Sequence, residues 1–278
     1  MSAVDVNEDR LVRDEAPGFA DTRANDLNDR DYVNSLARGL EVIKVFARRR
    51  PKMTLSEVAQ ATGMTRATVR RFLLTLVREG YVETNGKYFN LRPKILELGF
   101  SALSSMDIWD VAQPIMNDLS EKLQESCFAA VLDHGHVIYV ARATSNQRIN
   151  VGITIGSRVP AHCVSTGRVL LSALPIDHLH QQLDEITMTK FTPNTVTSKV
   201  QLRSIIDEVR LQGWSIVDQE LEIGLRSLSV PIRDGQGKIV AALNVCCPSM
   251  RIRPEDMRTR VLAEALEASN NITRALQI

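Results

Sequence analysis

One segment behind a tight turn limits what this chain can fold into more than any other. After Gly63, Thr65 can cap a helix whose apolar stripe recurs at three- and four-residue spacing, at Val69, Phe72, Leu73 and Leu76. The remaining faces of the same helix carry Arg66, Thr68, Arg70, Arg71 and Thr75. One side must therefore pack on a core while the other presents cations and hydroxyl groups, which suits contact with a polyanion.

Two helices are predicted ahead of this segment. The first ends before Pro51, and its predicted buried face consists of Leu36, Leu40, Ile43 and Phe46. Thr54 and Glu57 have the spacing of a capping box, so a second, short helix begins there and ends at Gly63. Two helices joined by a tight turn with glycine, the second one basic at its N-terminal end, form the arrangement that lays a recognition helix in the DNA major groove.

A hairpin is predicted behind the basic helix. The segment YVETNGKYFNL alternates apolar and polar positions around Asn85-Gly86, a strong hairpin signal, and Lys87 near its tip can reach a phosphate or a minor groove. Residues 34–92 are therefore predicted to form a winged helix-turn-helix domain that binds double-stranded operator DNA. Its predicted DNA contacts are Arg66, Thr68, Arg70, Arg71, Thr75 and Lys87. RNA is disfavoured, because this region shows no aromatic-rich sheet motif on which bases could stack.

The distribution of charge supports the same assignment. Residues 1–34 hold nine acidic and four basic side chains, residues 35–92 have a net charge of +8, and residues 93–278 have a net charge of −2. The basic charge is thus confined to the predicted DNA-binding domain. Residues 1–33 lack periodicity and are expected to be a disordered, solubilising tail. No apolar run approaches the roughly 18 residues of a membrane span, so a cytoplasmic protein without a membrane partner is expected.

A linker helix is predicted over residues 93–106, and a longer helix starts near Asp107. Ile95, Leu98 and Leu103 can form a stripe that faces a partner, although packing against the chain's own domain fits the same pattern. A DNA-binding protein with one helix-turn-helix gains affinity for its operator by dimerising, because two copies can occupy two half-sites. A homodimer is therefore expected.

The rest of the chain, residues 107–278, is predicted to be an α+β domain. Turn formers separate short segments rich in β-branched residues, namely CFAAVLD, HVIYVARA, RINVGITIG, WSIVDQE, LRSLSVPIRD and KIVAALNVCC. Helices are predicted from Ser165, near residues 198–212, and from Pro254 with Met257, Val261, Leu262 and Leu266 on the apolar face. This order predicts an antiparallel sheet covered by helices, a layout able to enclose a small molecule.

Signals for catalysis in this domain are weak. His134 and His136 could bind a metal, and Cys163 or Cys246 with His162 could form a reactive thiol, but a hairpin turn and apolar burial explain these residues as well. The four cysteines include no CxxC pair, and no nucleophile elbow, Walker loop or dinucleotide fingerprint is present. No enzymatic activity, metal or cofactor is predicted. A thiol or metal sensor, or an enzyme acting on a small acid, remains the alternative.

Four segments together resemble the IclR family of bacterial transcriptional regulators: SLARGLEVIKVF, TLSEVAQATGMTRATVRRFLLTLVREGYV, GSRVPAHCVSTGRVLLSALP and GWSIVDQELEIGLRSLSVPIRDGQGKIVAALNV. Within the family, ATVRRFLLTL and VDQELEIGLRSLSVP are similar to regulators of the PcaR, PcaU, PobR and CatR type, which control the β-ketoadipate pathway of aromatic-acid breakdown. The resemblance implies an N-terminal winged helix-turn-helix, a linker helix and a C-terminal GAF-like α/β effector-binding domain. It also implies dimers and dimers of dimers.

The same resemblance implies where an effector binds. The family's effector-binding positions correspond here to Ser165, Thr166, Asp218, Ser227, Asn244 and Cys246. Family members often have glycine or alanine where Ser165 and Thr166 stand, so the resemblance does not determine the shape of the ligand. The implied ligand is a small aromatic or keto acid such as a protocatechuate-pathway acid. Its carboxylate could approach the helix N-terminus at Ser165, and Asp218 could accept from a ligand hydroxyl.

Overall fold

The computed structural model describes residues 32–46, 52–98, 108–144 and 152–276, and it divides into two units, Met1–Leu98 and Gly99–Ile278. The predicted tail lies outside the described residues except for Tyr32 and Val33. Of the predicted linker helix, Pro93–Leu96 form a 3-10 turn and residues 99–106 lie outside the described ranges. The predicted domain boundaries at residues 34–92, 93–106 and 107–278 therefore stay predictions.

Three α-helices and a small sheet form the core of the described part of the first unit. The helices are α1 (Asn34–Phe46), α2 (Leu55–Thr62) and α3 (Arg66–Arg78). The sheet has the order β1-β3-β2 and consists of β1 (Met53–Thr54), β2 (Val82–Thr84) and β3 (Tyr88–Leu91), paired antiparallel. The hairpin β2–β3 is the predicted wing, and β1 is a third strand that was not predicted. The winged helix-turn-helix is confirmed.

Local sequence signals set the ends of these helices. Thr54 and Glu57 form the predicted capping box, in which Thr54 N donates to Glu57 Oε2 at 2.7 Å. Gly63 ends α2 with a left-handed φ of 67°, which residues other than glycine adopt at a cost. Thr65 caps α3, where its hydroxyl oxygen accepts from Thr68 N at 3.2 Å. The turn between α2 and α3 therefore has the predicted chemistry.

The buried face of α1 differs from the prediction. Val42 and Phe46 are buried, whereas Leu36 is 63% exposed and Leu40 is 45% exposed. The helix carries apolar residues on two faces, and the core formed with α2, α3 and the wing takes the face of Val42 and Phe46. Spacing alone could not decide between them, because both faces follow helical periodicity.

The second unit is built on a six-stranded antiparallel sheet of order β6-β5-β4-β9-β8-β7. The strands are β4 (Ser126–Asp133), β5 (His136–Ala143), β6 (Arg158–Pro160), β7 (Ser215–Asp218), β8 (Leu225–Arg233) and β9 (Ile239–Pro248). The helices are α4 (Ile108–Leu123), α5 (Ser165–Ser172), α6 (Ile176–Glu185), α7 (Lys199–Gln212) and α8 (Leu262–Ala275), the last preceded by a turn of π-helix at Met257–Val261. The predicted α+β class and antiparallel sheet are confirmed.

Helices cover both faces of this sheet, and each face has its own core. One core joins α4 and α8 to Leu228, Leu243 and Val245. The other joins α5, α6 and α7 to Phe128, Tyr139 and other side chains that point the opposite way from the same strands. Because successive strand residues face opposite sides, the parity of a residue decides which core it enters. The same parity determines which of the predicted effector-binding residues lie on one face of the sheet.

Two local predictions were wrong in this unit. The segment RINVGITIG was expected to be a strand, but its described part, Gly152–Gly156, is turn and irregular chain, because Gly156 has a φ of 84° and Thr154 N bonds Ser157 Oγ. The strand follows it at Arg158–Pro160. Helix α6 was not predicted, since Leu179 and Leu183 alone form its buried stripe. Within the described residues, no helix combines the length and hydropathy needed to cross a lipid bilayer.

Candidate functional site

The solvent-facing side of α3 carries the predicted DNA contacts. Arg66, Arg70, Arg71 and Thr75 are exposed, and Thr68 is half-buried, while Val69 and Leu73 on the other side are completely buried. The two threonines also make local bonds: Thr75 Oγ1 donates to Arg71 O at 2.9 Å, and Thr68 Oγ1 lies 2.9 Å from Thr65 Oγ1. The arginines of this face are thus presented on a fixed helix, with the hydroxyl oxygens beside them still able to accept a bond.

A concave surface of about 410 Å³ lies between α1 and α3, lined by Asn34, Ser35, Arg38, Thr68, Arg71, Phe72 and Thr75. Arg38 and Ser35 of α1 thereby join Arg71 and two threonines in one basic hollow. The prediction from sequence missed Arg38 and Ser35. Their signal was present in the +8 charge of residues 35–92, to which Arg38 contributes.

The tip of the wing is ordered by Asn85. Its Oδ1 accepts from Lys87 N at 3.1 Å and from Tyr88 N at 2.8 Å, and Gly86 has a left-handed φ of 91°. Lys87 is exposed, with its Nζ 5.2 Å from the centre of the Tyr88 ring. The cation is therefore held at the end of the hairpin, as the Asn-Gly signal predicted.

In the second unit, α5 and two strands bring a group of neutral polar side chains together. Ser165 Oγ donates to Ser227 Oγ at 2.9 Å and lies 2.8 Å from Ser229 Oγ. Asn244 Nδ2 lies 3.1 Å from three acceptors, Ser165 Oγ, Ser229 Oγ and the carbonyl of Leu228. Register explains the meeting, because Ser229 pairs with Asn244 and Ser227 pairs with Cys246 across β8 and β9. Ser165, Ser227, Ser229 and Asn244 are called the serine cluster below.

The serine cluster has one partly accessible end. Ser165, Ser229 and Asn244 are buried, whereas Ser227 is half-buried. Ser227 accepts a bond from Ser165, and its own hydrogen has no acceptor among the described residues. Ser229 was not predicted, although its alternation with Ser227 along β8 signals the same face. Val164, rather than Ser165, occupies the cap position of α5, and it makes no side-chain bond there.

Thr166 and two aromatic rings lie beside the serine cluster. Thr166 Oγ1 is 3.5 Å from Tyr139 Oη, and the rings of Tyr139 and Phe128 meet edge to face with centres 5.6 Å apart. Burial raises the pKa of Tyr139, so the phenol keeps its proton and can donate at neutral pH. The environment of Thr166 is therefore polar at one side and aromatic at the other.

Asp218 does not join the serine cluster. It pairs with Arg226 across β7 and β8, while Val217 pairs with Ser227, so Asp218 points to the opposite sheet face. There, Arg226 Nη2 donates to Asp218 Oδ2 at 2.8 Å, and Arg226 Nη1 bonds the carbonyl of Ile252. Of the six residues predicted to bind an effector, the structure brings together Ser165, Thr166, Ser227, Asn244 and Cys246.

Gly167 determines how closely α5 approaches the preceding chain. A Cβ atom at this position would lie 2.1 Å from the carbonyl oxygen of Ala161 and 2.4 Å from its Cα. Only a residue without a side chain fits, since both atoms belong to the backbone. The two residues before Gly167, Ser165 and Thr166, are thereby held against the sheet.

A buried ion pair anchors α5 from its other side. Arg168 Nη2 donates to Glu220 Oε2 at 2.8 Å, with the two side chains 4% and 9% exposed. The same oxygen accepts from Val196 N at 3.0 Å, and the carbonyl of Glu220 accepts from Thr195 Oγ1 at 2.6 Å. The irregular segment 187–198, called the strap below, is thus tied to the start of α5.

Comparison with known proteins agrees with both units. Residues 35–86 match the IclR helix-turn-helix domain, and residues 100–274 match the family of bacterial transcriptional regulator IclR C-terminal domains. The chain belongs to the IclR family. Members of this family are transcriptional regulators, so the chain is a regulator and not an enzyme.

Relatives within the IclR family are similar along most of the chain. The Pca regulon regulatory protein of Pseudomonas putida is 39% identical over 249 residues, 89% of this chain and 86% of that protein. The Pca operon regulatory protein of Acinetobacter baylyi is 33% identical over 274 residues, 97% of this chain and 98% of that protein. A double mutant of the inducer-binding domain of PobR from Acinetobacter, crystallised with 3-hydroxybenzoic acid, is 30% identical with a TM-score of 0.56, and the match covers 59% of this chain and 96% of that one.

The cysteines of this IclR-family chain are poor candidates for thiol chemistry. All four are buried, and burial raises the pKa of Cys246 and of Cys163 to about 12. The pKa values of Cys127 and Cys247 are raised by burial as well. Because the thiolate is the reactive form, these residues are protonated and inert at neutral pH. Cys246 lines the same sheet face as the serine cluster as a small, apolar group.

Within the described residues, the histidines do not form a metal site either. His134 Nδ1 lies 2.9 Å from Asp133 Oδ1, and His136 Nδ1 lies 3.2 Å from the carbonyl of His134, so the H-x-H pair belongs to the β4–β5 turn. His162 is buried with Nε2 3.0 Å from the carbonyl of Thr189, and burial lowers its pKa. In the part of the chain that the structure describes, no group of three or more His, Cys, Asp or Glu side chains could hold a metal ion.

Proposed function

We propose that this protein regulates genes of aromatic-acid breakdown, including the β-ketoadipate route, and that a small aromatic acid changes its affinity for a double-stranded operator. The observation that carries the proposal is the serine cluster, a neutral group of donors and acceptors in a chain whose other unit is a winged helix-turn-helix. Relatives named as Pca regulatory proteins, and a relative's domain crystallised with 3-hydroxybenzoic acid, support the same function.

For DNA reading, α3 is the element proposed to enter the major groove. Arg66, Arg70 and Arg71 can donate bidentate bonds to guanine or to phosphate, and Thr68 and Thr75 can accept from the backbone or base edges. Arg38 and Ser35 extend this surface towards a flanking phosphate across the hollow between α1 and α3. Lys87 at the wing tip contacts the backbone on the other side.

For effector binding, the serine cluster suits a ligand with a ring hydroxyl. Ser227 has a hydrogen to donate, and hydroxyl and amide groups can bond a phenol without the desolvation cost of a buried charge. Thr166, Cys246 and the rings of Phe128 and Tyr139 provide the polar and apolar walls around it. Asp218 is assigned to holding Arg226 on the opposite face of the sheet, so it acts outside direct contact with the ligand.

We propose that the protein binds operator DNA as a homodimer. Val33, just before α1, and Leu36 and Leu40 of α1 form an exposed apolar stripe with i, i+3, i+7 spacing, and they are 59%, 63% and 45% exposed. A second copy of the chain is its proposed occupant, because a reader with one recognition helix needs two half-sites roughly 34–36 Å apart. Dimers of dimers on paired operators extend the same arrangement. Because the operator lies on the chromosome, this function places the protein in the cytoplasm.

Coupling between the two units requires two states. The acid must bind one state of the second unit more tightly than the other, and the shift in operator affinity cannot exceed that difference in binding free energy. We expect the bound acid to change the separation of the two recognition helices in the dimer. Repression and activation are both compatible with this coupling.

A fluorescence anisotropy titration tests the function. Labelled genomic fragments retained by the protein are titrated with and without protocatechuate and 3-hydroxybenzoate. Asn244→Ala should retain operator binding and lose the response to acid, because it removes the amide that joins Ser165 to Ser229. Ser172→Ala is the matched control, since this buried hydroxyl of α5 bonds only the carbonyl of Val169 among the described residues. A protein that retains no fragment at low salt, with or without acid, would contradict the proposal.

A further inference from the structure

A second concave surface, about 480 Å³ in volume, lies in the second unit between α5, α7 and the turn that joins β8 to β9. None of its lining residues belongs to the serine cluster, which lies at the other end of α5. Small-molecule sites have volumes of roughly 300–1,000 Å³, so this surface is large enough to hold a ligand. It is called the hairpin cleft below.

Three cations from different elements line the hairpin cleft: Arg210 of α7, Arg233 of β8 and Lys238 just before β9. All three are exposed, and the lining includes neither Asp nor Glu. Asp234 follows Arg233 in the chain but lies outside the lining, and its Oδ1 accepts from Gln236 N and Lys238 N, both at 2.9 Å. The side chains that line the cleft therefore carry three positive charges and no negative one.

Hydrogen bonds to carbonyl oxygens hold the two arginines in place. Arg210 Nε donates to Ser172 O at 2.9 Å and its Nη2 donates to Leu174 O at 2.8 Å, while Arg233 Nη1 donates to Gly237 O at 2.9 Å. These are the side-chain bonds that the two arginines make to the described residues, and within the same residues Lys238 Nζ makes none. Arg210 Nη1, Arg233 Nη2 and Lys238 Nζ can therefore donate to a ligand.

The ends of two helices oppose an anion here, but only weakly. Helix α5 ends at Ser172 and α7 ends at Gln212, so both present the negative ends of their dipoles near the cleft. Each helix end is equivalent to about half a negative charge, and Arg210 already bonds the carbonyl of Ser172. Three full positive charges exceed that sum. The electrostatic balance of the cleft thus favours an anion.

The floor of the hairpin cleft is apolar. Val169 and Val209 are buried, and Leu174 and Ile239 are half-buried. An inorganic anion would contact the cations at the rim and leave this floor in water. An anion with a ring or a short carbon chain can bind the cations and also cover the floor, which adds favourable apolar burial.

We propose that the hairpin cleft binds a small organic anion that carries two or three carboxylates on an apolar body. Arg210, Arg233 and Lys238 bind the carboxylates, and the apolar floor contacts the body. This inference goes beyond the proposed function, because it assigns a second ligand site with different chemistry. The serine cluster offers neutral groups to a ring hydroxyl, whereas the hairpin cleft offers several cations to several carboxylates.

Calorimetry with four probes tests the site on the full-length chain. Benzene-1,3,5-tricarboxylate, benzene-1,3-dicarboxylate and benzoate share one ring and differ in charge, and inorganic phosphate has charge without an apolar body. The cleft variants are Lys238→Gln, Arg233→Gln and the double variant. Lys190→Gln is the matched control, because Lys190 is an exposed lysine of the same unit outside the cleft. The melting temperature without a probe shows that each variant is folded.

Affinity should increase with the number of carboxylates. One exposed ion pair strengthens binding by up to about 5-fold, so the tricarboxylate should bind about 5- to 25-fold more tightly than benzoate. Each single cleft variant should weaken tricarboxylate binding by about 2- to 5-fold, and the double variant should weaken it by about 4- to 25-fold. Lys190→Gln should bind the tricarboxylate as the wild-type chain does, and added salt should weaken binding.

Three results would overturn the proposal. If the wild-type chain does not bind the tricarboxylate at millimolar concentration, the cations of the cleft serve only to hold the local fold. If the folded double variant binds it as tightly as the wild-type chain, the anion binds another basic surface. If phosphate binds as tightly as the tricarboxylate, the apolar floor contributes nothing and the ligand class is wrong. The proposed function survives each of these results, because benzoate bound at the serine cluster would be insensitive to the cleft variants.

Discussion

Replacement of Glu220 by alanine should destabilise the second unit and loosen the start of α5. The change removes the carboxylate that pairs with Arg168 and accepts from Val196 N, and it leaves the buried guanidinium with one described bond, from its Nε to the carbonyl of His162 at 3.2 Å. Breaking a buried ion pair on one side costs about 3–5 kcal/mol. For a unit of this size, each kcal/mol lowers the melting temperature by about 2–4 °C, so a decrease of about 6–20 °C is expected.

Tryptophan fluorescence can follow this unit alone, because both tryptophans of the chain, Trp109 and Trp214, lie in residues 99–278. The strap should also become accessible, so trypsin should cleave the Glu220→Ala variant faster at Lys190, which is exposed within the strap. DNA binding by the first unit should persist at temperatures below the transition. The response to an acid should weaken, because α5 carries Ser165 and Thr166.

Two further variants test whether the loss of stability comes from the unpaired buried charge. Asp256→Ala breaks a solvent-exposed pair with Arg253 at 3.1 Å and should leave the transition unchanged, because water and salt screen such pairs. A double variant, Arg168→Met with Glu220→Leu, should recover most of the lost stability, since no charge is then left unpaired. A decrease for Glu220→Ala no larger than that for Asp256→Ala would refute the reasoning.

Three other predictions concern the reader helix, the close approach at α5 and the buried histidine. If Arg71 contacts a base edge, Arg71→Ala should weaken the free energy of operator binding by about 1–3 kcal/mol at that base position. If Arg71 contacts a phosphate, the variant should lower the salt slope of operator binding by about one. Titrations at several salt concentrations distinguish the two outcomes, with Arg78→Ala as the control. In thermal melts, Gly167→Ala should destabilise the second unit by about 1–3 kcal/mol or more through its clash with backbone, whereas Gly39→Ala, whose Cβ would lie 3.8 Å from Phe72, should not destabilise the first unit. Burial lowers the pKa of His162, so below about pH 6.5 the imidazole binds a proton in the unfolded chain but not in the folded one. The free energy of unfolding should therefore fall as the pH drops below about 6.5. Urea unfolding should show a smaller loss of stability on acidification for His162→Gln; an equal loss would assign the effect to other groups.

The DNA-binding unit could be predicted almost completely because its signals are local. Capping by Thr54 and Thr65, the left-handed position of Gly63 and the Asn85-Gly86 hairpin each depend on a few neighbouring residues, and all occur as predicted. The error at Leu36 and Leu40 has a different origin. Both faces of α1 are apolar, and only packing against α2 and α3 selects the one that is buried.

The serine cluster could be predicted only in part, because its members are separated by up to 79 residues in the chain. Resemblance indicated Ser165, Ser227 and Asn244, but it also indicated Asp218, which strand parity turns to the other face. Ser229 was missed although it is two residues from Ser227.

By itself, the sequence determined that a basic reader helix follows a capped turn, that a mixed helix-and-strand domain comes after it, and which family the whole resembles. These features depend on short-range periodicity, capping and composition, which are readable one segment at a time. Only the tertiary structure decided which side chains share a face of the six-stranded sheet. The reason is physical: a one-residue change in register reverses the direction of every side chain in a strand, and register is set by pairing with distant strands.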